Sequence, residues 1–576
     1  MIRFDAECAR WILFMGTAVF SALPAIAQDV SPQDLRELDM EIRRQERALA
    51  TAAERARREQ IEARGRSDVP AIAQPDAFAP PPGGPCFEIK NIILSGFDPF
   101  DAPPDGYRDL AGSCASAADI GAALNAINTH YQQAGYITTR AYVPQQDVAD
   151  GSLEITIVPG RLEGYVYADG SPADARIKAA FPTGRGDLLS LRDLEQGLEN
   201  LNAPRSTNSR FELVPGEVAG GSFVQVDLQQ EQPWRLGFDL DNSGFETTGE
   251  IKGTARLGFD NVLGLNDTLS LRTTLVAFEE RDEKYLDSLS LNWNVPFGYW
   301  SFGLGAGTSR YSYVLSGINQ YYTVEGQSRY TTLSAERLLM RNQTTRVYGY
   351  GDLDVLRTRT FIDDFEIETQ RRNLTVASLG LRGDRRMGGG RLRWDISTRF
   401  GLGAFDAYVI DGSSVDPQFQ LVQGRLDYAR PLGESGVTYN ASLFAQHSND
   451  VLPGSEQISI GSWSTVRGFH EDSMYGDSGI YLRNTLAWDT ELIPAMNLRL
   501  NAGLDIGYIE PSDLRRWSQD HIAGVSLGAD ILLQENTFLS LQIARALSRP
   551  DKSQPNEQPA FEEDQVVGYV KLQVEF

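Results

Sequence analysis

Beyond Pro233 the chain alternates apolar and polar residues again and again. Leu289, Leu291, Trp293 and Val295 take turns with Ser288, Ser290, Asn292 and Asn294. Leu392, Trp394, Ile396 and Phe400 stand on the opposite parity from Arg391, Arg393, Asp395 and Arg399. Leu269, Leu271 and Leu275 repeat the pattern, as do Leu498, Leu500, Leu504 and Ile506. A period of two with one apolar face predicts half-buried β-strands. At roughly 20 residues per strand and connection, positions 234–576 hold about 16 antiparallel strands. Their polar faces carry full charges, so they cannot enclose a dry core. They fit a transmembrane β-barrel with apolar side chains toward lipid and charges toward a wet lumen. Phe297, Tyr299 and Trp300, beside a Pro/Gly turn, are expected in an interfacial girdle. At the end of the chain the alternation puts Phe576 on the face of Val570, Leu572 and Val574, as a C-terminal barrel signal.

The stretch in front of the barrel follows a different grammar. Glu88 to Leu94 predicts a strand ending at Gly96, and Asp119 is expected to cap a helix carrying Ile120, Leu124, Ile127 and Tyr131. Gly135 closes that helix. Strands at Thr138–Val143 and Leu153–Val158 follow, separated by Asp150-Gly151. A second unit opens with a strand at Leu162–Tyr167 and a helix at Pro172–Ala180, with Ser171 as its expected cap. A helix at Leu191–Leu201 and strands at Phe211–Val214 and Ser222–Leu228 complete it. Residues 86–160 and 161–233 are thus read as two βααββ domains in tandem.

The first residues read as address and tether. Trp11–Leu23 is a short apolar run behind Arg3 and Arg10 and ahead of Ala25-Ile26-Ala27. This predicts a signal peptide over 1–27, cut before Gln28, because a membrane span needs about 20 apolar residues. Ser31-Pro32-Gln33-Asp34 then starts a helix. Leu35, Leu38, Ile42, Leu49 and Ile61 form a narrow stripe among Glu/Arg pairs as far as Arg64, within an N-terminal unit of 28–66. Residues 67–85 turn to Ala, Pro and Gly, as a flexible linker does.

Composition narrows the chemistry. Of three cysteines, Cys8 leaves with the signal, and Cys86 and Cys114 remain. An even number in an oxidising compartment predicts one disulfide, with two buried thiols as the alternative. The four histidines, His130, His447, His470 and His521, are scattered, so neither a metal site nor a cofactor is expected. The net charge of −25 comes without clustered Lys/Arg among aromatics, which speaks against nucleic acid as a partner. No histidine joins a Ser/His or Asp/His constellation, and no enzyme activity is expected. Arg185-Gly186-Asp187 spells an adhesion tripeptide, which within a domain of this kind is read as chance.

Several segments resemble the two-partner secretion transporters, the haemolysin secretion/activation proteins of the barrel-assembly superfamily. Tyr131-Gln132-Gln133-Ala134-Gly135-Tyr136-Ile137-Thr138-Thr139-Arg140-Ala141, with Gln146 and Gly151, resembles the end of that family's first POTRA domain. POTRA domains are periplasmic βααββ modules that receive polypeptide chains. The Cys86/Cys114 pair resembles a disulfide many members carry there. Trp234-Arg235, Asp241-Asn242-Ser243-Gly244 and Asp260-Asn261-Val262-Leu263-Gly264 resemble the family's entry into the barrel.

Val466-Arg467-Gly468-Phe469 resembles the tip motif of the sixth extracellular loop, which folds back into the lumen. The resemblance implies that Arg467 meets an acid from an F-x-D motif, here Asp505 in Gly503-Leu504-Asp505, with glycine in place of the aromatic. Parity agrees: with Leu504 and Ile506 toward lipid, Asp505 faces the lumen beside Arg499 and Asn501. The alternative is a solvated loop arginine.

The resemblance further implies a resting-pore plug at Ser31–Arg64, the alternative being a periplasmic helix that never enters the barrel. It implies substrate contacts at Tyr131, Gly135, Tyr136, Arg140 and Gln146. The expected location is the outer membrane of a Gram-negative cell, with the POTRA domains in the periplasm. The expected partners are a large secreted exoprotein (adhesin, haemolysin or toxin), the barrel-assembly machinery during biogenesis, and membrane lipid. The expected function is secretion of an unfolded exoprotein through the lumen. An assembly factor or insertase is the alternative, ahead of a diffusion porin.

Overall fold

A computed structural model describes residues 85–576 apart from positions 101–105, 279–283, 317–319, 409–414, 416, 471, 491–496, 512–518 and 551–565. The expected signal peptide, N-terminal helix and linker lie outside the described residues.

The first module contains β1 (Phe87–Ile89), β2 (Asn91–Ser95), β3 (Ser113–Ala115), α1 (Ala117–Gln133), β4 (Arg140–Tyr142) and β5 (Ser152–Val158). β5 is central, parallel to β2 and antiparallel to β4. Its alternation buries Leu153, Ile155 and Ile157 against Ile127 and Tyr131 of α1, which is why helix and sheet dock as they do. The expected single strand over Glu88–Leu94 is two, broken at Lys90. The Lys90 and Asn91 amides both donate to Gly151 O, and β1 leaves to pair with β3. Where a first helix was expected, one 3-10 turn stands among the described residues, Arg108–Leu110. The cap of α1 is Ser116 rather than Asp119. Asp119 sits three residues on and its carboxylate accepts from the Ser116 amide, so both polar residues share one capping box. Cys86 and Cys114 are disulfide-bonded, with Cα atoms 5.3 Å apart, stapling the start of β1 to β3.

The second module contains β6 (Arg161–Tyr167), α2 (Ala175–Ala180), α3 (Leu191–Leu201), β7 (Thr207–Pro215) and β8 (Gly221–Gln230). β8 is central between β6 and β7, with Val224 and Val226 buried under both helices. Helix α3 has the bounds its sequence predicts, capped by Ser190. Helix α2 starts later than expected: Asp174, not Ser171, accepts from Ile177 N.

The barrel opens with β9 (Trp234–Asp241), β10 (Lys252–Asp260), β11 (Thr268–Val276), β12 (Tyr285–Phe297), β13 (Trp300–Ser316) and β14 (Tyr321–Arg341). It continues through β15 (Thr345–Ile362), the short β16 (Phe365–Glu366), β17 (Arg372–Met387), β18 (Gly390–Gly401), β19 (Gln420–Pro431) and β20 (Val437–His447). A loop hairpin, β21 (Ile458–Ile460) with β22 (Met474–Gly476), comes next. The last strands are β23 (Gly479–Thr490), β24 (Asn497–Ile509), β25 (His521–Gln534), β26 (Thr537–Ser548) and β27 (Val566–Glu575). Among the described residues sixteen long antiparallel strands form the wall, and β27 closes on β9. Closure removes every free sheet edge, a condition for crossing hydrocarbon.

The apolar parity is the outer one, with Leu289, Leu379, Ile396, Leu504 and Leu527 all exposed for lipid to cover. Phe576 continues it. Its amide donates to Leu236 O (2.7 Å), and its ring meets Phe238 edge-on at 6.4 Å. The expected girdle is corrected at one position. Phe297 and Trp300 are exposed, but the Tyr299 hydroxyl turns to the second module and donates to Asp193. Burying that hydroxyl against a carboxylate outweighs leaving it in an interface.

The second module sits on the rim through three turns. Arg176 donates from Nε to Asn266 Oδ1 (2.7 Å), and Asn266 Nδ2 returns a bond to Arg176 O (3.0 Å). Gly298 N donates to Ala179 O (2.8 Å), while Asn200 Nδ2 donates to Ala180 O and Gly298 O (2.6 and 2.7 Å). Glu199 on α3 lies buried between Arg341 and Arg346. The arginine contacts are charge-assisted, and the set is largely enclosed.

Candidate functional site: an inward loop and its lock

The chain between β20 and β23 leaves the far end of the barrel and turns back into it. Ile458 pairs with Gly476 and Ile460 with Met474, giving the loop its own ladder. Ile458, Ile460, Val466, Phe469 and Met474 then bury against Tyr481, Ile509 and Ile522 of the wall. Apolar burial of this extent holds the loop inside, and the polar contacts fix its register. Gly461 (φ +95°) and Gly468 (φ +103°) make the turns on either side of the tip, in a region closed to most side chains.

Arg467 is 1 % exposed and Asp505 is 0 % exposed, so the pair is cut off from water. Arg467 donates from Nε to Asp505 Oδ2 (2.6 Å) and from Nη2 to Oδ1 (2.7 Å), a bidentate fork. Its main-chain amide also donates to Oδ2 (3.1 Å). Nη2 reaches Asn484 O (2.8 Å) and Thr485 Oγ1 (3.1 Å) on β23, and Asn484 N donates to Asp505 Oδ1 (3.2 Å). Both charges are therefore compensated where they lie, which a buried pair requires.

The wall opposite the tip is built of glycines. A side chain at Gly503 would overlap the Arg467 guanidinium, and one at Gly524 would overlap the Arg467 carbonyl. Gly507 gives similar room to Ile460 and Val466. The glycine standing where an aromatic was expected is thus the seat on which the guanidinium lies.

Two further anchors carry no sequence signal of their own. The Tyr569 hydroxyl on β27 donates to Phe469 O (2.6 Å), tying the tip to the last strand. At the loop's base, Glu456 receives Arg399 of β18 at 2.9 and 3.2 Å, and Arg399 also reaches Asp354 (3.3 Å). The loop is held from β18 on one side to β24 and β27 on the other.

The five module residues expected to meet substrate divide. Tyr131 is 1 % exposed, with its ring 4.5 Å from Phe100, so it is a core residue and not a contact surface. Tyr136 packs on the same Phe100. Arg140 holds the carbonyls of Ile137 and Thr139 (2.8 Å each), and Gln146 brackets Glu154 through its amide and carbonyl. Gly135 O accepts from Leu191 N (2.8 Å), Thr139 Oγ1 accepts from Gly160 N (3.0 Å), and Ile137 packs into the second module's core. This segment is the joint between the two modules.

Two small modules in tandem, the second seated on a closed sixteen-strand wall, with an outer loop folded into the lumen, define a polypeptide-handling barrel of the outer membrane. Residues 220–531 match the model of the haemolysin secretion/activation proteins ShlB/FhaC/HecB. Residues 87–160 match the ShlB-type POTRA domain and 161–215 a further POTRA domain. The chain belongs to this family of two-partner secretion transporters. It is 30 % identical over 473 residues to the outer membrane transporter CdiB of Dickeya dadantii, covering 80 % of this chain and 82 % of that protein. It is 27 % identical over 481 residues to the haemolysin transporter protein ShlB of Serratia marcescens, covering 82 % of this chain and 84 % of that protein. The solved structure of CdiB from Escherichia coli superposes with a TM-score of 0.80 at 26 % identity, over 95 % of this chain and 99 % of that one.

Proposed function

We propose that this transporter secretes one large exoprotein of the adhesin, haemolysin or toxin type, and that the Arg467–Asp505 pair is the lock that holds the loop in the inward position secretion needs. The observation that carries this reading is that pair, forked and buried at the tip of a loop crossing the lumen. The unfolded chain is received at the POTRA domains as an added β-strand, where backbone bonds give affinity with little sequence demand. The half-exposed Tyr136, Arg140 and Gln146 lie nearest that role among the residues named above. The helix expected at 31–64 plugs the resting pore, and Phe576 presents the barrel to the assembly machinery. Folding outside the cell makes passage one-way without ATP.

Deletion of the gene, followed by comparison of the secreted proteins, tests the function. Loss of one large exoprotein with other barrels unchanged is the expected result. A general loss of outer-membrane barrels would establish an assembly factor instead. For the lock, Arg467→Ala and Asp505→Ala are each expected to abolish secretion while leaving a heat-modifiable barrel, and the double variant to be no worse. Normal secretion by Arg467→Ala would return this arginine to a structural role.

A further inference from the structure

Four arginines gather on the outer face of the barrel, where its apolar band ends at the side away from the POTRA domains. β13 and β15 run away from POTRA 2, so their last residues and the first of β14 lie at that far end. On β15 the outward positions Val347, Leu353 and Val355 are apolar, and the next two on that face are Arg357 and Arg359. The rise from Val347 to Val355 along a tilted strand is about 20 Å, close to the height of a lipid-facing band. The arginines therefore stand at the headgroup level of the outer leaflet. Arg310 of β13 and Arg329 of β14 complete the group in the same two rows of the ladder. One row reads Arg310, Gln327, Arg359, and the other reads Thr308, Arg329, Arg357.

Arg329 and Arg357 are thus directly opposed across neighbouring strands, with Cβ atoms about 5 Å apart by ladder geometry. Like charges so placed repel, and more strongly at a membrane interface than in bulk water. The acids nearby do not cancel them. Asp287 stands 3.7 Å from Arg310, Asp406 3.7 Å from Arg357 and Glu366 4.0 Å from Arg359, all beyond hydrogen-bond length. Glu366 is held instead by Arg371 at 2.7 Å. Arg329 has no ion pair among the described residues, and Glu325, one row further out on its face, reaches none of the four. The guanidinium groups of Arg310, Arg357 and Arg359 are more than half exposed. Inside the barrel the opposite holds, as where Arg399 is forked on Glu456 at 2.9 and 3.2 Å.

We propose that Arg310, Arg329, Arg357 and Arg359 bind the phosphates of the lipopolysaccharide that forms the outer leaflet. A phosphate between Arg329 and Arg357 accepts from both planar forks and removes their repulsion. Gln327, between Arg310 and Arg359, is placed for the hydroxyls of the sugar headgroup. The net charge of the chain is −25, so an anionic lipid surface is drawn to such a patch and repelled by most of the rest. The patch lies on the side of the barrel away from the β9–β27 closure, and it anchors that side against the lipid while the lumen works.

The test uses full-length transporter, delipidated in a neutral detergent and titrated with three probes. These are bisphosphorylated lipid A, the same lipid stripped of its phosphates, and phosphatidylglycerol, with bound lipid counted by native mass spectrometry. Lipid A is expected to bind about tenfold or more tighter than either of the others. Arg329→Gln combined with Arg357→Gln should lose that advantage. Arg385→Gln combined with Arg430→Gln, which changes two exposed arginines at the periplasmic ends of β17 and β19, should stay within twofold of the parent. Lipid A affinity in the first double variant within twofold of the parent would overturn the site. Equal binding of phosphatidylglycerol and lipid A would overturn the glycolipid as its ligand. The single change Arg357→Gln gives a second readout that does not depend on the double variant folding. Lipid A should raise the temperature at which the parent's heat-modifiable band is lost, and leave it unchanged in Arg357→Gln. Equal rises in both would count against the site. No exoprotein enters the measurement, so its outcome and that of the transport reading are independent.

Discussion

The guanidinium of Arg467 occupies the space that a side chain on Gly503 would fill, so the lock depends on a residue that contributes no atom to it. Gly503 stands two residues before Asp505 on the same lumenal face of β24, and the arginine lies across it to reach the carboxylate. Gly503→Ala is therefore expected to push the guanidinium off its fork. The cost of stranding a buried charge is about 3–5 kcal/mol where water stays excluded. Secretion should fall as far as in Arg467→Ala, and combining the two changes should add nothing, because both remove one contact. Secretion at the parental level by Gly503→Ala would mean that the arginine has another seat, and the glycine no part in the lock.

The loop's second anchor makes a separate prediction. Arg399 and Glu456 are bonded twice at the loop's base, with side chains 19 % and 11 % exposed, so the contact is partly shielded. Glu456→Gln keeps the shape and removes the charge. It is expected to loosen the base while leaving the tip's fork intact. A nitroxide placed at Ser473 in the full-length protein should become more mobile in Glu456→Gln and in Arg399→Gln, with the double variant no more mobile than either. Unchanged spectra in both single variants would assign the loop's position to its apolar contacts alone.

The barrel was legible because lipid and lumen impose a two-residue period that sequence carries openly, as at Leu289–Val295 and Leu392–Phe400. Helix α3 was legible to the residue because Ser190 precedes a clean amphipathic run. The cap of α1 was not, since Ser116 and Asp119 are both capping residues and only geometry shows which one precedes the helix. The lock was legible at its charged ends, Arg467 and Asp505, through the motif. Its glycine seats were not, because a missing side chain leaves no chemical signal. Arg399 and Glu456 are 57 positions apart and meet only through the inward fold of the loop. No local pattern encodes that meeting, and the same holds for Tyr569 and Phe469.

The staple in POTRA 1 should matter for stability. Cys86 and Cys114 are 28 positions apart, and closing a loop of that size limits the unfolded chain by roughly 2–4 kcal/mol. Replacing both with Ser is expected to lower the urea concentration at which the POTRA 1 tryptic sites open, in the full-length protein in micelles. The barrel's heat-modifiability should not change. Equal protease resistance in parent and variant would show that the β1–β3 pairing holds without its covalent tie.

Asp193 makes the seat of POTRA 2 sensitive to pH. It lies in the first turn of α3 and accepts from the Tyr299 hydroxyl of a barrel turn. Burial, with a smaller contribution from the Asp187 charge, pushes its carboxyl up to about 6. An unfolded aspartate titrates near 3.9, so the folded module holds this proton more tightly than the unfolded chain does. The stabilisation is therefore fully present below the unfolded value, and it is lost as pH rises through about 6. Hydrogen exchange across residues 191–201, corrected for the intrinsic rate, should show greater protection at pH 5 than at pH 7.5. Asp193→Asn, which is neutral throughout, should remove that dependence while Tyr299 keeps an oxygen to donate to. Protection in the parent that does not change across this window would mean that Asp193 stays ionised in its site. The tyrosine hydroxyl and the helix N-terminus would then be enough to carry the charge.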